Sequence, residues 1–262
     1  MAAHLAGKGH TLCGAIALPT LDRGTLLRKL NQWGLRKAAT YARSKLSPSR
    51  GDTQSQVNNS YLQSFLKNGH GIFRSMKEVA GVYKFPLVVC KAQNAPESIA
   101  RLREWSPDLV VFTGGNILRQ PLLDVPRLGV LNVHLGLLPE IRGMSSPEWS
   151  LLRNVPLGIT IHYMACGIDT GPILQRLELA DAVRYESLND LRNRLVAFGV
   201  EKVAEVVSAL DRESISATPQ PDFKPDFKED HQYFVMHEWL QARAAECLTS
   251  GRLAPTRGAP HG

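Results

Sequence analysis

Three polar side chains carry the chemistry that this sequence suggests: Asn132, His134 and Asp169. Asn132 and His134 stand two residues apart at the end of the apolar run GVLNVH, so on an extended strand both point to the same side. Asp169 follows in GITIHYMACGIDTGPI, in a loop bounded by Gly167 and Gly171, where glycines allow the backbone to approach a ligand closely. An amide, an imidazole and a carboxylate that converge at strand ends suit acyl transfer to an amine.

Each of the three side chains has a role in such a transfer. Asn132 would donate a hydrogen bond to the developing oxyanion, and His134 would shuttle a proton or stabilise charge. Asp169 would orient His134 or accept the proton of the amine, directly or through water. A structural alternative stays open on the bare pair, because a histidine near a strand end is often a satisfied structural residue and asparagine a turn former.

The elements that must position these side chains alternate between strand and helix. This alternation predicts the α/β class, as a Rossmann-like, doubly wound, mostly parallel sheet with helices on both faces. Ligands of such sheets bind outside the carboxyl ends of the strands, which is where GVLNVH places Asn132 and His134. The predicted elements are strand Leu12–Leu18, helix Thr25–Leu46, helix Phe73–Tyr83, strand Pro86–Cys90, helix Asn94–Trp105, strand Asp108–Thr113, strand Val130–Val133, helix Ser146–Leu152, strand Gly158–Met164, strand Ile173–Leu177 and helix Ser187–Leu210.

The start of the predicted sheet is unusual. Nothing strand-like precedes Leu12, so we expect the usual first strand to be missing or the sheet to be built differently. A missing strand leaves an unpaired edge, which predicts instability or a homodimer formed through that edge.

The pattern predicts an α/β domain over residues 1–215 and a C-terminal extension with a flexible tail over residues 216–262. The segment ATPQPDFKPDFKED is interrupted by three prolines, His231–Leu248 has the pattern of a last helix, and Ser250–Gly262 is predicted to be disordered. The polar stretch Ser47–Asn59 lacks periodicity and is predicted to be a mobile loop.

Composition narrows the class of protein. Hydrophobic residues at 44% and charged residues at 21% are ordinary for a globular protein, and no apolar run approaches the ~20 residues that span a bilayer. The N-terminus has no secretory pattern and the four cysteines lie far apart, so we expect a cytoplasmic protein with reduced thiols. Residues 1–60 hold nine basic residues against two acids, which indicates a solvated helix face or a surface for an anionic ligand or nucleic acid.

Other candidate sites are weaker. His231 and His237 do not have a zinc-binding spacing, so we expect no metal. Cys166 is interpreted as a wall residue of the site. Glu140 and Arg142 either contact substrate or pair with each other.

The stretch LNVHLGLLPEIRG, followed by GITIHYMACGIDTGPIL, resembles the catalytic core of the 10-formyltetrahydrofolate-dependent formyltransferases. Members of that family act on glycinamide ribonucleotide, methionyl-tRNA or amino sugar nucleotides, and one hydrolyses formyltetrahydrofolate. The resemblance extends from about Pro86 to Leu210. It implies that Asn132, His134 and Asp169 are the catalytic set, and that a formyl group passes from N10 of the folate to an amine without a covalent enzyme intermediate.

The same resemblance implies a folate pocket on two segments, one after the strand PDLVV and one before the aspartate. The residues implied are Asn116, Ile117, Leu118, Cys166 and Gly167. Asn116 stands where the purine enzyme has a basic residue, so this segment departs from the family pattern.

Three further departures shape the expected acceptor. The serine common before Leu-Leu-Pro is Gly136, which removes a hydroxyl and is expected to leave more room. The first strand and its phosphate-binding glycine turn are absent, and the 52 residues after Leu210 are few for a tRNA-gripping barrel. We therefore expect a small-molecule amine, such as an amino sugar nucleotide, in preference to a nucleic acid; the alternatives are a formyltetrahydrofolate hydrolase and a non-catalytic folate- or amine-binding relative.

Overall fold

In the computed structural model of the chain, the described residues are 1–19, 30–31, 34–35, 39, 73, 75–179, 185–221 and 232–250. The chain divides into two compact units, an N-terminal unit (Ala2–Trp105) and a C-terminal unit (Met1 with Ser106–Gly262). The predicted loop Ser47–Asn59 and the predicted tail after Ser250 lie outside the described residues. No helix in the described ranges is long and apolar enough to cross a membrane.

The N-terminal unit contains a parallel pair of short strands and several helices. Strand β1 pairs with β2, with Ala15 opposite Leu87. The described residues before Ala15 form a helix and no strand. Of the predicted helix Thr25–Leu46, the five described residues (30, 31, 34, 35 and 39) are helical. The elements are α1 (Ala2–Gly7), β1 (Ala15–Ala17), α2 (Met76–Tyr83), β2 (Leu87–Val89) and α3 (Pro96–Trp105).

The C-terminal unit is built on a four-stranded sheet. Its elements are β3 (Leu109–Phe112), α4 (Gln120–Leu123), β4 (Gly129–His134), β5 (Arg142–Gly143), α5 (Ser146–Arg153), β6 (Gly158–Tyr163), β7 (Ile173–Glu178), α6 (Leu188–Asp211), β8 (Gln232–Tyr233) and α7 (Glu238–Thr249). The strand order is β3-β4-β6-β7, and β5 pairs with β8 in a separate small sheet. The predicted α/β class is confirmed.

Strand directions in the four-stranded sheet are mixed. β3 and β4 are parallel, whereas β4 with β6 and β6 with β7 are antiparallel. Only the short loop of residues 164–172 joins β6 to β7, and so short a connection makes an antiparallel pair because a parallel crossover needs a dozen residues or more.

Helix α6 covers the face of β4 that points away from Asn132 and His134. Its N-cap is Ser187, whose hydroxyl accepts a hydrogen bond from the backbone N–H of Asp190 at 3.1 Å. Leu191, Leu195 and Val203 repeat at intervals of four and eight residues and are fully buried. Val133 packs against the hydrophobic clusters that contain these three residues. Because side chains alternate along a strand, Asn132 and His134 face the other side of β4.

The segment after α6 differs from the sequence prediction. The predicted helix His231–Leu248 is wrong at its start: Gln232 and Tyr233 are strand β8, parallel to β5, and helix α7 begins at Glu238. The side chain of His237 caps this helix by accepting from the N–H of Trp239 at 3.3 Å. Residues 216–221 and 232–250 belong to the same compact unit as β4 and β6; the division of the chain at residue 215 stays a prediction.

Candidate functional site

Four polar side chains share one face of the antiparallel pair β4–β6. The register places Asn132 opposite His162 and His134 opposite Thr160. Residues directly opposite in antiparallel strands have close Cβ atoms, and residues two apart lie on the same face. The two strands therefore present an amide, two imidazoles and a hydroxyl to one side.

Thr160 anchors the turn that follows β4. Its hydroxyl donates to the carbonyl of Gly136 at 2.8 Å and accepts from the N–H of Leu138 at 3.0 Å. This turn does not leave the room expected from Gly136, because a Cβ added there would lie 3.0 Å from Nε2 of His134. The imidazole takes up the space that the missing side chain leaves.

His134 is buried, and a backbone carbonyl orients its ring. Its Nε2 lies 2.6 Å from the carbonyl oxygen of Ile141, so Nε2 must carry a hydrogen and donate it. The other ring nitrogen, Nδ1, lies 3.4 Å from Oδ2 of Asp169. Nδ1 is thus the nitrogen that is available to take up a proton, next to a carboxylate that would stabilise the charge.

His162 belongs to the site in addition to the three predicted residues. Its Nδ1 donates to the carbonyl of Tyr163 at 2.8 Å, so Nε2 is an acceptor, and Nδ2 of Asn132 lies 3.2 Å from it. Burial lowers the pKa of His162, while the charge of Asp169 raises it and that of His134 lowers it. The signal was present in the sequence, because His162 is at the strand position that the alternation of GITIHY places on the site face.

Asp169 brings the two imidazoles together. Its Oδ2 accepts from the backbone N–H of Gly143 at 2.8 Å and faces His134, and its Oδ1 lies 3.6 Å from Nε2 of His162. The side chain is 14% exposed. Its φ of 53° is left-handed, a conformation in which aspartate is more common than most non-glycine residues. The predicted trio is therefore assembled around one carboxylate, with His162 as the link to Asn132.

Gly171 lies two residues after Asp169 in the same loop. A Cβ at this position would lie 1.8 Å from the carbonyl oxygen of Tyr163, and the N–H of Tyr163 bonds to the carbonyl of Pro172 at 2.9 Å. At this glycine the loop backbone therefore lies close to the end of β6; its approach to a ligand stays a prediction. The absence of a side chain lets the loop pack tightly on the strand that carries His162.

The two charged residues after the proline turn have different partners. Glu140 pairs with Arg176 at 2.8 Å, and Nη2 of the buried Arg142 donates to Oε1 of Gln220 at 2.8 Å. Burial lowers the pKa of Arg142, and the charges of Asp169 and Glu140 raise it. Arg142 thus lies close enough to Asp169 to feel its charge, but its side chain is bonded to Gln220.

The residues implied for the folate pocket lie on two segments of the C-terminal unit. Asn116 and Ile117 are exposed, whereas Leu118 is buried. The thiol of Cys166, which precedes Gly167, donates to Oε1 of Gln120 at 2.9 Å. This bond joins the second segment to the start of helix α4, which follows the first segment. Within the described ranges, no group of three His, Cys, Asp or Glu side chains is arranged to hold a metal ion.

Comparison with known proteins relates this chain to one family. Residues 53–207, more than half of the chain, match the family described as formyl transferase. Methionyl-tRNA formyltransferase of Geobacter metallireducens is 34% identical over 149 residues, which cover 56% of this chain and 48% of that protein. The same enzyme of Pelobacter propionicus is 32% identical over 163 residues, covering 60% of this chain and 50% of that protein. This chain thus spans about half the length of these relatives.

A solved structure shares the fold. The formyltransferase PseJ from Anoxybacillus kamchatkensis matches with a TM-score of 0.50 and 19% identity, covering 74% of this chain and 93% of that one. PseJ was crystallised with UDP-4,6-dideoxy-4-formamido-L-AltNAc and tetrahydrofolate. At this identity the likeness concerns the fold.

Proposed function

This chain belongs to the formyl transferase family, and we propose that it transfers a formyl group from 10-formyltetrahydrofolate to a primary amine. The observation that carries the proposal is the position of Asp169, whose two carboxylate oxygens face the imidazoles of His134 and His162 at 3.4 and 3.6 Å. A carboxylate next to an imidazole at the end of a strand supports proton transfer at a reacting centre.

The reaction needs one new bond and one broken bond. The lone pair of the amine attacks the formyl carbon, a C–N bond forms, and the carbonyl electrons move to oxygen. Asn132 uses one amide hydrogen on His162, so its second hydrogen is available to stabilise that oxyanion. The C–N10 bond then breaks, and N10 leaves with a proton.

The proton that N10 receives comes from the attacking amine. We propose that it passes through Nδ1 of His134, because Nε2 of the same ring is committed to the carbonyl of Ile141. The carboxylate of Asp169 stabilises the imidazolium while the proton is held there. The products are an N-formyl amine and tetrahydrofolate, and no covalent bond to the protein is required.

The formyl donor is proposed to bind against Asn116, Ile117, Leu118, Cys166 and Gly167. Ile117 is 61% exposed, and it directly follows Asn116, which supplies hydrogen-bonding groups. An exposed apolar side chain beside a polar amide fits the flat, partly apolar ring system of a folate.

We propose a small-molecule amine, with an amino sugar nucleotide as the first to test, as the acceptor. The amine must reach side chains that are nearly enclosed, since His134 is 6% and Asp169 14% exposed. This enclosure supports an acceptor whose amine projects from a slender end of the molecule. Methionyl-tRNA is the second candidate, favoured by the identity of 34% with a methionyl-tRNA formyltransferase.

The decisive experiment offers 10-formyltetrahydrofolate to the purified chain together with single acceptors. The panel contains an amino sugar nucleotide, glycinamide ribonucleotide, methionyl-tRNA and a sample without amine. Tetrahydrofolate release is followed by absorbance, and the acceptor mass is measured for the gain of one formyl group. Asp169→Asn is the control for transfer that does not use the site.

A formylated small amine supports the proposal. If methionyl-tRNA is the only sample that gains a formyl group, methionyl-tRNA is the acceptor and the proposed small-molecule acceptor is wrong. Tetrahydrofolate release at the same rate without amine identifies a hydrolase. Binding of the folate with no turnover in any sample identifies a non-catalytic relative.

A further inference from the structure

Gln220 reaches back to the site from beyond residues 53–207, the part of the chain that matches the family. Its Nε2 lies 2.9 Å from the carbonyl oxygen of Asp169 and 2.7 Å from that of Gly171. Because a carboxamide nitrogen carries two hydrogens, both can be donated to the same loop. One side chain thus holds the loop on two sides of Thr170.

The orientation of the Gln220 carboxamide follows from its third partner. Its Oε1 lies 2.8 Å from Nη2 of Arg142, and a guanidinium can only donate. The oxygen must therefore face Arg142 and the nitrogen must face the loop. The next residue, Gly143, donates its N–H to Oδ2 of Asp169, so strand β5 contacts this aspartate directly and also through Gln220.

The backbone near Gln220 is held as well. Thr218 and Ile173 exchange two hydrogen bonds, of 2.8 Å from Ile173 N–H and 2.7 Å from Thr218 N–H. Ile173 begins β7, two residues after Gly171. The segment that contains Gln220 is therefore hydrogen-bonded to β7, the strand that follows the loop of Asp169.

Asp169 needs such support because of its backbone conformation. A φ of 53° in a non-glycine residue has a cost in free energy and persists when surrounding contacts hold it. Its carboxylate must also stay near both imidazoles, at 3.4 and 3.6 Å. A shift of the loop would change both distances together.

We propose that Gln220 is a positioning residue of the reaction, which holds the loop of Asp169 so that its carboxylate lies between His134 and His162. The proposal rests on the proposed function for its kinetic consequence. Its structural consequence, the environment of the two imidazoles, can be measured on the protein without substrates.

The test compares two changes at Gln220 with one matched control. Gln220→Leu removes all three hydrogen bonds, whereas Gln220→Glu keeps the shape and the contact with Arg142 but loses both donors. Gln241→Leu is the control, because Gln241 also donates to one backbone carbonyl, that of Met236 at 2.9 Å, in the first turn of α7. If Gln220→Leu fails to fold, Gln220→Glu provides the result.

Both Gln220 variants are expected to lower kcat by between about 10-fold and about 100-fold, the scale for a misplaced catalytic group, with KM for the folate nearly unchanged. The imidazole nitrogen NMR signals of His134 and His162, followed against pH, are expected to shift in both variants. Gln241→Leu is expected to match wild type in both measurements. In an Asp169→Asn background, Gln220→Leu should lower kcat by less than about 2-fold, because coupled residues are not additive.

Wild-type kcat and wild-type imidazole signals in a folded Gln220 variant would overturn the proposal. An equal loss in Gln241→Leu, or a full further loss in the Asp169→Asn background, would overturn it too. If the wild-type chain formylates no amine, the proposed function fails, and the imidazole signals alone then decide the role of Gln220.

Discussion

Nδ1 of His134 faces Oδ2 of Asp169 at 3.4 Å because the opposite nitrogen of the ring is held by the carbonyl of Ile141 at 2.6 Å. The carbonyl determines which nitrogen carries the permanent hydrogen, and the carboxylate determines where an added proton is stabilised. A ring held in this way can take up and return a proton without rotating.

Replacement of His134 tests this proton path. We expect His134→Gln to lower kcat for formyl transfer by at least ~100-fold, since glutamine can still donate to Ile141 but cannot take up the proton. Initial rates at saturating donor and acceptor measure the effect. His237→Gln is the matched control, because His237 is exposed and caps α7. Rates near wild type for His134→Gln would remove His134 from the mechanism.

Replacement of Asp169 separates its charge from its shape. Asparagine tolerates the left-handed conformation and can accept from Gly143, so Asp169→Asn should fold normally. We expect kcat to fall by at least ~100-fold, because an imidazolium at His134 would lose its counter-charge. Asp211→Asn at the end of α6 is the control, and similar kinetics in the two variants would contradict the role of Asp169.

The buried His162 predicts how stability depends on pH. Burial lowers its pKa in the folded protein from the ordinary value of 6.5, so the unfolded chain binds the proton more readily. The free energy of unfolding should therefore decrease as the pH falls below 6.5, until the folded-state pKa is reached. Thermal unfolding midpoints measured across this range test the direction.

A variant assigns that pH dependence to one residue. His162→Gln is expected to have a flatter dependence of the unfolding midpoint on pH than wild type, whatever its absolute stability. Gln241→Leu should keep the wild-type slope, since this change removes the hydrogen bond to the carbonyl of Met236 but no titratable group. An unchanged slope in His162→Gln would assign the effect to other groups.

Gly143 contacts both strand β8 and the site, because it pairs with Tyr233 and its N–H binds Asp169. Its φ is 93°, and a Cβ there would lie 2.1 Å from the carbonyl oxygen of Tyr233. We expect Gly143→Ala to lower the free energy of unfolding by at least about 2 kcal/mol and to reduce kcat, because the N–H that binds Asp169 must move. Chemical denaturation and initial rates measure the two effects.

Gly81 offers the matched control for that change. It lies exposed within helix α2, and an added Cβ would meet nothing within 4 Å. Gly81→Ala is expected to stabilise the protein by about 0.5–1 kcal/mol through helix propensity, without an effect on kcat. Equal stability changes at Gly81 and Gly143 would contradict the explanation from the contact with Tyr233.

The local sequence pattern was sufficient to predict the two strands that carry the site. The apolar run at β4 and the alternation at β6 predicted both strands within one or two residues, because side-chain direction alternates strictly along a strand. The same alternation placed Asn132 and His134 on one face. Helix α6 was predicted within one residue at each end, since helical spacing of apolar residues is also a property of the local chain.

Contacts between distant segments were not predictable from such patterns. The pairing of β8 with β5 turned part of a predicted helix into strand, because backbone hydrogen bonds from residues some 90 positions away outweighed a weak helical pattern. The partner of Arg142 proved to be Gln220, 78 residues away. His162 joined the site through the cross-strand register with Asn132.

By itself the sequence determined the strands β4 and β6, the helix α6, and the common face of Asn132 and His134, since periodicity and spacing are properties of the local chain. The tertiary structure alone decided that one carboxylate serves two imidazoles, which ring nitrogen faces it, and which residues hold its loop. The physical reason is that hydrogen bonds of about 3 Å depend on how the loop of Asp169, strand β5 and Gln220 pack together in three dimensions, and no spacing along the chain encodes that packing.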